Sequence, residues 1–190
     1  MNPRPAGTES GGGGAAVVLR RGGVIAYPTE AVWGLGCDPF NRDAALRILA
    51  LKRREIDKGL LLVAAGMEQI DDLLAPLGEE PLAILRQSWP GHVTWLIPDP
   101  AGRYPAWIRG RHPTVAVRVS DHPVVASICR AFNRPIVSTS ANFAGEPEIR
   151  STEDLRRQFG GEIDYVAEGR LGGRGAPSEI RDLLSNIRIR

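Results

Sequence analysis

The sequence predicts a single α/β domain on a twisted, mostly mixed sheet with flanking helices. Three observations predict it. Helical and strand-like patterns alternate along nearly the whole chain, as layered α/β architecture requires. Leu60 to Ala65 is apolar at every position and of strand length, which fits a strand buried on both faces. Several connections between strand-like segments are too short for a crossover helix, so some neighbours must pair antiparallel.

Residues 1 to 14 are Gly, Pro and polar, too poor in apolar surface to order, and are expected to form a disordered tail ahead of a domain spanning 15 to 190. A short helix is expected over Ala15 to Arg21, a strand over Val24 to Tyr27, and a glycine-rich turn at Trp33-Gly34-Leu35-Gly36. Asn41 caps the next helix, whose Ala44, Ala45, Ile48 and Leu49 share one stripe. After the Leu60 to Ala65 strand come helical patterns at Met67 to Leu74 and Glu80 to Gln87. Val93 to Ile97 and Val115 to Val119 are β-branched runs bounded by Pro and Gly, and read as strands. Asp121 to Ala131 reads as a helix and Pro135 to Ser138 as a strand. Thr152 to Phe159 is a helix with Ser151 and Asp154 spaced as a capping box, and Tyr165 to Ala167 and Ser178 to Asp182 are late strands.

Composition narrows function before any motif does. With 190 residues, 43% of them hydrophobic, the chain can bury roughly 70% of its unfolded surface without disulfides or a structural metal. A net charge of +2 excludes binding to nucleic acid or membrane by bulk charge. Two cysteines, Cys37 and Cys129, cannot build a disulfide framework or a four-thiolate zinc site. No stretch approaches the ~20 apolar residues of a membrane span, and no apolar leader opens the chain. The expected compartment is the cytoplasm, with no membrane partner.

Familiar catalytic signatures are absent. Gly11 to Gly14 is not followed by Gly-Lys-Ser/Thr, Gly34-Leu-Gly36 lacks the third glycine of a dinucleotide fingerprint, and His92, His112 and His122 lack ligand spacing, so they read as surface or capping residues. No metal site is expected. The cations are more informative. Of 24 basic side chains only Lys52 and Lys58 are lysine, and both fall in Lys52-Arg53-Arg54-Glu55-Ile56-Asp57-Lys58. Lysine is a compact point charge suited to phosphate oxygens, where arginine is a rigid fork suited to carboxylates.

Three further groups sit near predicted strand ends. Tyr27-Pro28-Thr29-Glu30 delivers a hydroxyl and a carboxylate to one edge. Thr114 and Arg118 lie on one face of a strand by alternation, and Arg118 needs either a ligand anion or an internal ion pair. Ser138-Thr139-Ser140-Ala141-Asn142 leaves an apolar strand with three hydroxyls and an amide. Together they describe a cationic, donor-rich pocket short of carboxylates, suited to an anionic small molecule such as a nucleotide.

The runs Ile25-Ala-Tyr-Pro-Thr-Glu-Ala-Val-Trp-Gly-Leu-Gly-Cys-Asp, Leu51-Lys-Arg-Arg-Glu-Ile-Asp-Lys-Gly-Leu, Ala116-Val-Arg-Val-Ser-Asp-His-Pro, Val137-Ser-Thr-Ser-Ala-Asn and Pro177-Ser-Glu-Ile-Arg-Asp resemble the YrdC/TsaC family of bacterial threonylcarbamoyl-AMP synthases. The resemblance runs in order from Ala15 onward. It implies an α/β sheet with a deep basic cavity, and the joining of L-threonine, bicarbonate and ATP into threonylcarbamoyl-adenylate for adenosine 37 of tRNA. On that resemblance Lys52, Arg54 and Lys58 are catalytic and hold the triphosphate with Mg²⁺. Ser140, Asn142, Thr114 and Arg150 complete the ATP set. Thr29, Ala31, Arg118, Ser138 and Ser178 hold threonine. A downstream tRNA threonylcarbamoyl transferase is the implied partner.

Two departures stand out. Glu55 replaces the proline that commonly follows Lys-x-Arg. The extension domain of longer relatives is missing, so the short single-domain form is expected, and any lid falls to Arg170 to Ala176 and the arginine-rich tail that includes Arg188. A rival reading is a non-catalytic tRNA-binding module, with weak contact through Arg103, Arg109, Arg111 and Arg118 and with Tyr104 and Trp107 interleaved for stacking.

Overall fold

A computed structural model describes residues 12–190. The strands are β1 (Ile25–Pro28), β2 (Trp33–Gly36), β3 (Leu61–Ala64), β4 (Val93–Pro98), β5 (Thr114–Val119), β6 (Ile136–Ser140), β7 (Tyr165–Val166) and β8 (Glu179–Asp182). They form one sheet in the order β7-β1-β2-β6-β3-β5-β4-β8. The pairs β1/β7, β3/β5 and β4/β8 run parallel and the rest antiparallel, so the sheet is mixed as predicted.

Around it pack α1 (Gly13–Arg20), α2 (Arg42–Leu51), α3 (Asp71–Leu74), α4 (Glu79–Ser88), α5 (Ala106–Arg109), α6 (Pro123–Phe132) and α7 (Thr152–Phe159). Alternation along the strands divides the core in two. Ile25, Tyr27, Val63 and Ile136 pack with α1 and α6. Val24, Ala26, Leu62, Ala64, Val117 and Val137 pack with the other helices on the opposite face. The apolar run of β3 is therefore buried on both sides. The caps are also as predicted: Asn41 Oδ1 accepts from Ala44 N at 3.0 Å, and Ser151 Oγ accepts from Asp154 N at 3.0 Å.

Several expectations are corrected. Trp33–Gly36 is strand β2 and not a turn, because both glycines serve close packing. A Cβ on Gly36 would lie 2.6 Å from Val137 O and 2.8 Å from Tyr27 Cε1. The Met67 to Leu74 pattern divides into a 3-10 turn, Met67–Ile70, and α3. Helix α5 carries no helical period long enough to read. Most of the expected tail lies outside the described residues, but α1 already starts at Gly13, and Gly12 N donates to Ser127 Oγ at 2.9 Å. His122 is the N-cap of α6, in line with the capping reading, but it is buried rather than at the surface, with its ring nitrogen Nε2 3.0 Å from Arg170 O. Cys37 and Cys129 are buried free thiols, and burial pushes the Cys129 thiol up to about 12.

Helix α2 ends in a tight turn that matters for the site. Lys52 is its C-cap, Arg53 N donates to Ala50 O at 3.0 Å and Arg54 N to Leu49 O at 2.9 Å. This pairing requires a left-handed residue, and Arg53 supplies it with φ 52°. Such a backbone costs a side-chain-bearing residue roughly 1–2 kcal/mol. No helix among the described residues is long and apolar enough to cross a membrane.

Candidate active site

Helices α1 and α6 cover only part of their face of the sheet. The uncovered part is the floor of a cavity of about 470 Å³, lined by alternate strand residues that include Leu61, Arg118, Ser138, Ser140 and Ile180. The wall comes from the exits of β1 and β6 and from the segment after α2. Of the twelve residues expected at a site, ten line this one cavity: Thr29, Ala31, Lys52, Arg54, Lys58, Arg118, Ser138, Ser140, Asn142 and Ser178.

The lysine segment and the β6 exit meet directly. Lys52 is only 3% exposed, and its Nζ donates to Ser140 O at 2.5 Å, Asn142 O at 3.0 Å and Asn142 Oδ1 at 2.8 Å. Ser140 Oγ donates to the same Asn142 Oδ1 at 2.8 Å. All three ammonium hydrogens are engaged, so Lys52 bolts the loop together while it charges the cavity wall. Burial, and next the neighbouring Arg54 charge, pull this ammonium down to about 8. Arg54 donates through Nε to Gly59 O at 3.1 Å and through a terminal nitrogen to Lys58 O at 3.2 Å, which folds the 3-10 turn Ile56–Lys58 back onto α2. Lys58 stands at the mouth, its side chain 57% exposed and 3.6 Å from Glu55.

At the other end of the cavity Arg118 NH1 lies 2.5 Å from Glu30 Oε1, and Ser120 Oγ donates to that oxygen at 2.6 Å. The internal ion pair left open by the sequence therefore exists. It does not satisfy every polar atom: Arg118 Nε and NH1 and Glu30 Oε2 are buried and without hydrogen-bond partners. Burial by itself would push the Glu30 carboxyl up, but Arg118 and Ser120 outweigh it and hold the group at about 2. The pair sets a carboxylate and a guanidinium side by side in one wall of the cavity, the charge complement of an amino acid's ammonium and carboxylate. Thr29 Oγ1 donates to Val32 O at 2.7 Å and shapes the β1 exit, while Ser178 Oγ sits 2.8 Å from Thr94 Oγ1.

Thr114 and Arg150 do not line the cavity. Thr114 shares a face with Arg118, but four residues of strand carry it about 13 Å away. Arg150 turns outward and donates to Gly175 O at 3.0 Å. The cavity is also less poor in carboxylates than expected, since Glu30 and Glu148 line it. His92 and Arg190 were missed. Arg190 lines the cavity and donates to Ser178 O at 3.2 Å, whereas Arg188, the tail residue singled out by the sequence, is 70% exposed beside Glu179. Only the pairing of the tail with β8, through Ile189 N to Ile180 O at 2.8 Å, distinguishes the two arginines.

The RNA-stacking stripe is not available. Tyr104 is buried, and Trp107 donates to Pro39 O at 3.0 Å while packing against the core. Arg109 is turned inward onto Tyr104 O at 2.8 Å.

The family model Sua5/YciO/YrdC, described as telomere recombination, matches residues 17–190. The chain belongs to the Sua5/YciO/YrdC family. Within it, threonylcarbamoyl-AMP synthase from Cellvibrio japonicus is 53% identical over 171 residues, covering 90% of each chain. The enzyme of the same name from Stutzerimonas stutzeri is 56% identical, covering 90% of this chain and 91% of the relative. Among solved structures, P. abyssi Sua5 complexed with L-threonine superposes with a TM-score of 0.81 at 33% identity over 88% of this chain. This chain spans about half, 49%, of that Sua5 chain. E. coli YciO, at 21% identity, shares the fold with a TM-score of 0.81, over 94% of this chain and 87% of its own.

Proposed function

We infer that this chain is a threonylcarbamoyl-AMP synthase, joining L-threonine, bicarbonate and ATP to threonylcarbamoyl-adenylate with release of pyrophosphate. The observation that carries the reading is a single cavity with two chemically distinct ends. One end gathers Lys52, Arg54, Lys58 and the Ser140–Asn142 loop. The other holds the buried Glu30–Arg118 ion pair. The synthases from C. japonicus and S. stutzeri, each matched over nine-tenths of its length or more, support the same reading.

In this reading threonine lies with its carboxylate toward Arg118 and its ammonium toward Glu30, between Thr29, Ala31, Ser138 and Ser178. The deprotonated amine attacks the bicarbonate carbon; a C–N bond forms as a C–O bond breaks, and the hydroxyl leaves with the nitrogen's proton as water, giving the carbamate. A carbamate oxygen attacks the α-phosphorus, the bond from that phosphorus to the bridging oxygen breaks, and pyrophosphate leaves. Positioning and charge stabilisation do the catalytic work. Lys52, Arg54 and Lys58 face the triphosphate, with Ser140 and Asn142 beside them and Arg190 adding a further cation. Among the described residues no cluster of His, Cys, Asp and Glu forms a metal cage, so Mg²⁺ fits here as an ion carried in on phosphate oxygens. Glu148 is the wall carboxylate that would hold it, and the ion would neutralise leaving-group charge.

The product's threonylcarbamoyl group is destined for adenosine 37 of tRNA through a separate transferase. The test is pyrophosphate release from ATP with threonine and bicarbonate each withheld. Release should need both. Release that persists without threonine overturns the reading.

A further inference from the structure

The middle residue of Lys52-Arg53-Arg54 is not part of the cavity lining, yet it holds the most constrained backbone of the segment, with φ 52°. Helix ends with this hydrogen-bond pattern ordinarily carry glycine at that position. Glycine would keep both closing bonds, Arg53 N to Ala50 O and Arg54 N to Leu49 O, with less backbone strain. The reason for arginine must therefore lie in its side chain.

That side chain turns away from the cavity. Its guanidinium carbon lies 4.4 Å from the centroid of the Phe143 ring. Phe143 directly follows Asn142, and packs edge-on against buried Phe159 of α7 with centroids 5.4 Å apart. The two turns that build the anion end of the cavity are thus joined at three depths. Inside, Lys52 Nζ holds Ser140 O and Asn142; along the backbone, Ala144 N donates to Lys52 O at 2.8 Å; outside, Arg53 covers Phe143.

We propose that Arg53 is a positioning residue whose stack on Phe143 clamps the Lys52–Arg54 turn to the Ser140–Asn142 loop from outside the cavity. The inner tie is the one a ligand disturbs, because all three Lys52 hydrogens are already engaged and a phosphate oxygen must draw one of them away. The outer tie touches no ligand, so it keeps the turns in register while the inner one exchanges partners. The proposal rests on the adenylate-forming reading only in naming ATP as that ligand.

The test uses Arg53→Gly, Phe143→Leu and the double variant, read by thermal melting, by ATP binding in calorimetry without threonine, and by KM and kcat for pyrophosphate release. Arg53→Gly should melt at or above the wild-type temperature while its Kd and KM for ATP rise about fivefold, with kcat changing less than about twofold. Phe143→Leu leaves every charge in place and should weaken ATP to a similar degree. The double variant should bind no worse than the weaker single one. An Arg53→Gly protein that binds ATP as tightly as wild type overturns the clamp. So does a silent Phe143→Leu beside a weakened Arg53→Gly, since that pattern assigns the effect to charge alone.

Should Phe143→Leu fail to fold, Arg53→Lys replaces it, keeping the charge but losing the flat face. Full wild-type affinity in Arg53→Lys overturns the clamp, and weakened affinity supports it. If wild type binds ATP but releases no pyrophosphate, the functional reading fails and the binding data still decide the clamp. If wild type does not bind ATP, exchange of the Ala144 amide decides it: about tenfold faster in Arg53→Gly supports the clamp, and unchanged exchange refutes it.

Discussion

Lys52 offers a quantitative handle on the anion end of the cavity. Its ammonium is brought from 10.5 to about 8, first by burial and second by the Arg54 charge. At pH 8 about half of the free protein carries the proton, and at pH 9 about one molecule in ten does. A triphosphate placed beside Lys52 favours the charged form and restores the proton. ATP binding should therefore take up about 0.5 proton at pH 8 and about 0.9 at pH 9, and affinity should fall about fivefold between them. Calorimetry of ATP binding without threonine, in two buffers of different ionisation enthalpy, measures the uptake directly and avoids the threonine amine, which titrates in the same range. Lys52→Arg keeps donors and charge but does not titrate below pH 9, so its uptake at pH 9 should vanish. Wild-type protein that binds ATP at pH 9 without taking up protons refutes the assignment, as does uptake that survives in Lys52→Arg.

Other expectations follow from the same geometry. Glu30→Gln strands the buried Arg118 guanidinium and should cost about 3–5 kcal/mol of stability at pH 7. Because the Glu30 carboxyl is depressed from 4.5 to about 2, its contribution is fully present above pH 4.5 and is lost as pH falls toward 2. Denaturant melts of the two proteins should accordingly converge as pH falls, and a constant gap would contradict the ion-pair account. Gly36→Ala forces a Cβ to 2.6 Å from Val137 O and should destabilise by about 1–3 kcal/mol in the same melts, with no change in the pH dependence of stability. Arg190→Ala should raise KM for ATP, whereas Arg188→Ala, changing a side chain turned to solvent, should leave it within about twofold. Equal effects would mean that the tail docks in another register.

The sequence alone determined most of the elements, with β2 and α5 as exceptions, and what class of chemistry the chain carries. Apolar alternation, the Asn41 and Ser151 caps and the doubly buried β3 run are local patterns, and local patterns survive in one dimension. The concentration of both lysines in one segment was equally legible, because residue choice there runs against the usage of the whole chain. Tertiary structure alone decided which residues share a cavity. Thr114 and Arg118 read as equivalent by alternation, but distance along the strand separates them. Arg188 and Arg190 read as equivalent in composition, and both are exposed, but only Arg190 lies along the cavity, where it reaches Ser178 O. Glu30 and Arg118 lie 88 residues apart in numbering and become partners because the exit of β1 reaches across the sheet face to β5. Long-range pairing of this kind leaves no periodic trace, since the contact is set by strand order and register, and neither partner's neighbours in sequence encode it.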